Sequence, residues 1–423
     1  MKLFTTSVFV GLASVFQMIA GLTNQKILAT YLGPAGLGMV GQFVDFFSIG
    51  LLFSRAAIDS GVLKYTATYE DQKEDQERLI GTSICIVAIL SIISTIGVNA
   101  YSDFFSLHIF RNSGMSRVIS ISSMCFFFPA MSCVLLNVLA GKGAKTKFLI
   151  ANYISSVLVL TVSVFTVFFG LKGAIFAYPT FQSVVAVFVF YIYLKAYGFP
   201  GWGLLRSFSI EKAVFLLKYG LMHASTMVIL PLTMMYVRNL IGTHVSLESV
   251  GYWQGIWKIS DMIQITIVMF LNLHLFPVLS REKNSDLFSK KLIETLTAVI
   301  VMVGCGCILI YILRDYIINF LLSDKFLDMR QLFPYQLLGD TLKSAAFVLK
   351  YIMLAKAMTK LFILTETIYF SSLAVAAHFL IPKFGIIGAS YSYLAVNALY
   401  FMTLFFIYRR ILFSDQGDKT SKG

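Results

Sequence analysis

Charge is scarce in this chain, and that scarcity is its first constraint. Only 13% of the 423 residues are Asp, Glu, Lys or Arg, against 58% hydrophobic, whereas a soluble domain carries roughly 25% charged residues. A soluble globular fold is therefore excluded. The apolar runs are continuous rather than alternating, which excludes a β-barrel and leaves an all-α polytopic membrane protein. Cysteine is sparse too: Cys85, Cys125, Cys133, Cys305 and Cys307 all lie inside apolar runs. Cys305 and Cys307, two residues apart, would face different sides of a helix, so neither a disulfide framework nor a thiolate metal site is expected. The five histidines stand at no metal-ligand spacing. No Ser/His/Asp set and no isolated pair of carboxylates marks a catalytic centre. The chain is read as no enzyme, with no cofactor and no metal.

What is present is a series of runs near 20 residues, the length that crosses a hydrocarbon core at 1.5 Å per residue. They fall at about 6–31, 38–63, 79–103, 115–140, 147–170 and 173–194, then at about 213–241, 249–279, 291–313, 332–355, 361–381 and 385–408. Twelve transmembrane helices are expected. The first run leads into a Gly/Pro turn rather than a small-residue cleavage site, so it is expected to be retained as a helix.

A net charge of +13 raises nucleic acid as a partner, but the placement of the charges argues against it. With the N-terminus inside, 21 of the 34 basic residues fall in cytoplasmic segments, 7 on the opposite side and 6 within the spans. That asymmetry follows the positive-inside rule and predicts both termini in the cytoplasm. The polar run from Glu70 to Arg78 is expected to be a solvated cytoplasmic loop.

An internal echo divides the chain. GLKGAIFAY at Gly170–Tyr178 matches GIIGASYSY at Gly385–Tyr393, 215 residues later, and LAGKGAKTKFLI from Leu139 resembles MLAKAMTKLFIL from Met353. An even number of helices per repeat keeps both copies in one orientation, giving parallel repeats about an axis along the membrane normal. The expected organisation is a six-helix bundle over 1–198, a cytoplasmic linker over 199–212, a second six-helix bundle over 213–412 and a cytoplasmic tail over 413–423, the bundles related by a pseudo-two-fold.

YLGPAGLGMVGQF, from Tyr31 to Phe43, has the glycines of a phosphate loop but neither a preceding strand nor a following Lys-Ser/Thr. It reads instead as a tight non-cytoplasmic turn: Pro34 ends the first helix, and Gly38 and Gly41 let the second approach a neighbour.

Ionisable groups at bilayer depth cost at least about 2.5 to 3.5 kcal/mol each on insertion scales, so they face a bundle interior or an aqueous cavity. The basic set is Lys26, Arg55, Arg238, Lys258, Lys343 and Lys350, and the acidic set Asp45, Asp59, Asp261, Asp340 and Glu366. Helical spacing pairs Arg55 with Asp59, Lys258 with Asp261 and Lys343 with Asp340. Lys26, Arg238 and Lys350 have no acid at such spacing and need one from another helix, Glu366 or Asp45, or an anionic substrate. The basic residues are thus candidates for substrate binding, the acidic ones for coupling or charge balance. Tyr252, Trp253 and Trp257 are read as an interfacial aromatic belt, with stacking on sugar rings as the other use of such rings.

Several stretches together carry a family resemblance: LGPAGLGMVGQF, VGYWQGIWKISD from Val250, FPVLSR from Phe276, LRDYIINFLLSDKF from Leu313, LFPYQLLGD from Leu332 and LAKA from Leu354. In these the chain resembles the bacterial lipid-linked oligosaccharide flippases, the O-antigen translocase and lipid III flippase group of the multidrug/oligosaccharidyl-lipid/polysaccharide exporter superfamily. The resemblance implies a MATE-like fold of two six-helix bundles around a central cationic cavity. It also implies alternating access that moves undecaprenyl-pyrophosphate-linked sugar repeats to the periplasmic leaflet of the inner membrane. Lys26, Arg238, Asp261, Asp340, Lys343 and Glu366 fit the group's pattern.

The function expected is therefore a flippase for an anionic lipid-linked oligosaccharide. Its partners would be that substrate, membrane lipids and other polysaccharide-assembly membrane proteins, with no nucleic acid; coupling to a proton or other ion gradient is open. A multidrug cation antiporter of the same superfamily would need an acid-dominated cavity. A membrane polysaccharide polymerase or ligase would need a sizeable periplasmic loop, and the non-cytoplasmic connections are short.

Overall fold

The computed structural model describes residues 2–111, 113–198, 207–281, 285–356 and 358–412. Every regular element among them is helical. Residues 199–206 of the expected 199–212 linker and the tail at 413–423 lie outside the described residues. The chain divides into two compact units, Met1–Met235 and Tyr236–Gly423, and the helix Ile210–His244 runs from one into the other.

Apolar side chains such as Phe168 and Phe379 lie open on helix surfaces, as they must where the surrounding medium is lipid. By length and apolarity, six of the described helices qualify to cross a membrane, seven if the bent pair Ser113–Ser123 and Phe127–Gly141 is one span. The count falls short of twelve runs partly because some elements hold more than one. Lys2–Arg55 is broken at Gly33 (φ 66°) and Lys145–Tyr197 at Gly170 (φ 61°). At Gly170 the chain turns back on itself. A Cβ on Gly173 would lie 2.4 Å from the Phe165 carbonyl oxygen, although eight residues of straight helix span about 12 Å. Gly385 (φ 63°) separates Thr359–Phe384 from Ile386–Leu412 in the same way, and a Cβ on Gly388 would lie 2.2 Å from the Leu380 carbonyl oxygen. Each reversal needs a left-handed first glycine and a second with no side chain, which is what the echoed GLKG and GIIG segments supply. GPAG at Gly33–Gly36 is a third copy of the spacing, invisible as a repeat because the sequence around it differs.

The structure revises several expected boundaries. Pro34 follows the break at Gly33 rather than ending the first helix; proline suits a helix's first turn, where its missing N–H has no partner to lose. The second run does not continue to residue 63: the helix stops at Arg55, Ala56 and Ala57 take left-handed φ values of 48° and 51°, and a new helix runs Asp59–Thr68. The polar run after Tyr69 is mostly not loop, since a helix begins at Lys73, where Glu74 and Asp75 in its first turn suit the positive end of the dipole. The fourth run is two helices bent by 44°.

In the first unit the core centres on Phe43, Phe47 and Phe126, all fully buried, with Tyr178 meeting the first two rings edge-on. In the second it centres on Trp253, Phe326, Phe333 and Tyr393.

Candidate functional site

The helix Phe333–Ala355 opens with Pro334 in its first turn and carries Gln336, Asp340, Ser344 and Lys350 among its buried residues. A charge so placed is stable only with its hydrogen-bonding capacity met. Asp340 meets it with hydroxyls: Ser260 donates to one carboxylate oxygen at 2.8 Å and Tyr393 to the other at 2.7 Å. Gln336 donates in turn to Ser260 at 3.0 Å, and Gln264 donates to Ser344 at 3.3 Å. Tyr393 reaches Asp340 only because residue 339 is glycine; a Cβ there would lie 2.6 Å from the ring's Cδ1.

Lys343, one turn on, makes no ion pair among the described residues. Its ammonium lies 5.1 Å from the centre of the Trp257 ring and 5.5 Å from that of Tyr393, a cation–π arrangement. The expected pairing of Lys343 with Asp340 is thus replaced by hydroxyls on the acid and rings under the cation. The helix geometry that allows an i, i+3 contact does not compel it when three better-placed partners crowd the same turn.

Trp253 and Trp257 are buried, 1% and 8% exposed, so they form no interfacial belt. Their rings meet at 5.5 Å, and among the described residues both indole N–H groups lack an acceptor. Arg238 is also buried; its Nε donates to Gln254 at 2.9 Å and its guanidinium stands 5.8 Å from the Trp253 ring centre. The stretch from Arg238 across the two indoles to Lys343 is therefore rich in donors and positive charge.

Further along the same helix, Lys350 finds the acid that its own helix does not supply: its ammonium lies 2.8 Å from Glu366. Tyr400 donates to Glu366 at 3.1 Å, Tyr369 donates to Asn397 at 3.1 Å, and Asn397 donates to the Tyr393 carbonyl at 2.8 Å. Asp261 is half-buried with a partner of its own. Lys258, half-buried, makes no ion pair with it among the described residues, which revises that expected pairing.

Lys26, Asp45, Arg55 and Asp59 belong to the first unit. Arg55 does pair with Asp59, at 3.1 Å, and also donates to the Cys133 sulfur at 2.8 Å. The pair spans the left-handed turn at Ala56 and Ala57, against which Gly220 lies so closely that a Cβ would meet the Ala56 carbonyl oxygen at 2.2 Å. That geometry gives Arg55 and Asp59 the role of closing a helix break. Lys26 and Asp45 are half-buried, and neither is without a partner.

The residues that sequence reasoning missed are uncharged: Ser260, Gln264, Gln336, Ser344, Tyr369, Tyr393, Asn397 and Tyr400. A signal existed in their spacing, since Ser260/Gln264, Gln336/Asp340/Ser344 and Tyr393/Asn397/Tyr400 each recur at three or four residues within apolar runs and so share a helix face.

Comparison with known proteins agrees with this architecture. The family described as polysaccharide biosynthesis protein matches residues 5–283. The lipid III flippase of Escherichia coli (strain K12) is 30% identical over 416 residues, 97% of this chain and 100% of that protein, and the lipid III flippase of Shigella flexneri is equally similar. Among solved structures, a multidrug resistance MATE family transporter of the MOP superfamily in an inward-facing conformation superposes with a TM-score of 0.79 at 16% identity, covering 93% of this chain and 94% of that one. The lipid II flippase MurJ in an inward closed conformation gives 0.75 at 17% identity, covering 95% and 87%. The molecule is an all-α, multi-pass membrane protein with the MATE-like fold.

Proposed function

The chain belongs to the polysaccharide biosynthesis protein family of the MOP superfamily, a family of transporters rather than enzymes, and from that premise we propose that it flips lipid-linked oligosaccharides. Its substrate is an undecaprenyl-pyrophosphate-linked repeat unit of the O-antigen or enterobacterial common antigen type. The unit moves from the cytoplasmic to the periplasmic leaflet of the bacterial inner membrane by alternating access through twelve helices arranged as two six-helix repeats, with both termini cytoplasmic.

The observation that carries the reading is the donor-rich stretch of the second unit. Lys343 sits on rings rather than on a carboxylate, and the indole N–H groups of Trp253 and Trp257 are buried without acceptors. Buried donors left unmet cost about 1 to 3 kcal/mol each, a cost that oxygens of a pyrophosphate or an acidic sugar would remove. Arg238 adds a planar fork suited to two phosphate oxygens, and Lys258 adds a point charge. A cation antiporter would need available carboxylates, whereas Asp340 and Glu366 are already hydrogen-bonded or ion-paired.

Deleting the gene and extracting the lipid-linked intermediates tests the proposal. A polyprenyl-pyrophosphate glycan should accumulate on the cytoplasmic face and clear when the gene is restored. Normal periplasmic glycan with a gain in sensitivity to cationic drugs would overturn it in favour of the antiporter.

A further inference from the structure

We propose that the end of the first unit where the hairpin Lys145–Tyr197 begins and finishes is a binding site for the phosphate headgroup of an anionic phospholipid. The reversal at Gly170 brings the two ends of this 53-residue element together. There the ammonium of Lys147 lies 5.2 Å from the centre of the Tyr197 ring and that of Lys142, from the turn before the hairpin, 4.2 Å from it.

Two ammonium groups gathered on one ring lie within about a Debye length of each other, roughly 10 Å at 0.1 M salt. Like charges so close repel unless an anion lies near both. Among the described residues neither lysine makes an ion pair; Glu77 acts on Lys142 only from beyond pairing distance. Burial draws the Lys142 ammonium below the ordinary lysine value, with Glu77 opposing. Tyr197, 40% exposed, offers its hydroxyl as a further donor.

What lies beside the cluster identifies the occupant. The hairpin is among the least covered of the spanning elements, with 22% of its apolar window buried. Tyr153 and Val157 on one arm and Val187 and Tyr191 on the other are exposed. Exposed apolar side chains along both arms of a hairpin that ends at paired cations match acyl chains capped by a phosphate, and long lysine side chains reach the headgroup level in this way. The site is on the lipid-facing side of the first unit and shares no residue with the stretch assigned to the oligosaccharide, so it stands independently of that assignment.

The test is native mass spectrometry of the purified full-length protein, delipidated and then titrated separately with phosphatidylglycerol, with phosphatidylcholine of the same chains and with undecaprenyl phosphate. Each lysine near a membrane surface strengthens attachment about fivefold. Lys142→Gln with Lys147→Gln should therefore weaken phosphatidylglycerol retention roughly 25-fold, leave phosphatidylcholine unchanged and be rescued by the paired change to Arg. Lys147→Gln alone, checked for monodispersity by gel filtration, should lose about fivefold. Unchanged retention in either folded variant overturns the site. A loss confined to undecaprenyl phosphate overturns the phospholipid as its occupant.

Discussion

The contrast between Asp340 and Lys343, on one helix, and Lys350 and Glu366, on two, can be tested by paired substitutions. Lys350 and Glu366 lie 2.8 Å apart with side chains only 9% and 14% exposed, and at an effective dielectric of 20 that separation corresponds to about 6 kcal/mol of attraction before desolvation is charged against it. Lys350→Met would leave the Glu366 carboxylate with the hydrogen bond from the Tyr400 hydroxyl. Breaking one side of a buried pair costs about 3 to 5 kcal/mol, whereas replacing both partners by neutral groups of similar volume is often nearly neutral. Lys350→Met and Glu366→Gln should therefore each destabilise the protein by about 3 kcal/mol, and the double variant by less than either alone. Asp340→Asn and Lys343→Gln should behave differently. Asp340 is held by Ser260 and Tyr393, and Lys343 by Trp257 and Tyr393, so their coupling should stay near 1 kcal/mol or below and the double variant should not recover. Equilibrium unfolding of the full chain in mixed micelles, followed by tryptophan fluorescence, gives both cycles. Strong rescue in the Asp340/Lys343 cycle, or none in the Lys350/Glu366 cycle, would refute the reasoning.

Three further outcomes are expected. Arg238→Lys keeps the charge but removes the planar fork; if the guanidinium bonds two oxygens of the substrate, complementation of a flippase-deficient strain should fall roughly tenfold or more at equal membrane abundance, and near-normal complementation would reduce Arg238 to a point charge. Gly388→Ala drives a Cβ to 2.2 Å from the Leu380 carbonyl oxygen while Gly304→Ala meets nothing within 4 Å, so the first should cost about 1 to 3 kcal/mol in the same unfolding assay and the second stay within about 1 kcal/mol of the parent. Reporter fusions after Arg410 should report a cytoplasmic C-terminus, and periplasmic activity would reverse the proposed orientation.

How much of this was legible depended on whether the determining physics is local. Helix content and membrane residence were readable because apolar run length is a property of one segment. The hairpin at Gly170 was half-readable: GLKG and GIIG announced a repeat, but that its first glycine is left-handed and its second a contact point emerged only when Phe165 and Leu380 were seen opposite. The bend between Ser116–Ser123 and Phe127–Gly141 is marked only after it, by Pro129, which lacks the N–H that would bond to the Cys125 carbonyl. Trp253 and Trp257 were misread because an aromatic near a run's end suggests an interface, whereas their helix starts at Leu247 and packs that end inside the unit. Pairing failed wherever a neighbour in sequence lost to one in space. Asp340 prefers Ser260 and Tyr393 to Lys343, and no property of residues 340–343 alone could reveal it.

The same distribution bears on what the second unit can select. Two of its acids serve internal partners, Asp340 through hydroxyl donors and Glu366 through Lys350 and Tyr400. Hydroxyls meet a carboxylate's hydrogen-bonding capacity but leave its charge in place, so Asp340 attracts the nearby ammonium of Lys343 through space without bonding it, and the direct contacts that hold that ammonium are aromatic. Aromatic faces do this only weakly, at about 0.5 to 2 kcal/mol, far less than a well-formed ion pair in a dehydrated site. The consequence is asymmetric. An incoming anion replaces a weak partner of Lys343, while an incoming cation would have to displace Lys350 from Glu366 or strip the donors from Asp340. On the proposed function, selectivity for anions would arise from which partners are weak, although the numbers of acids and bases at membrane depth are nearly equal, and Gly339 would contribute to it by admitting the Tyr393 ring that serves both Asp340 and Lys343.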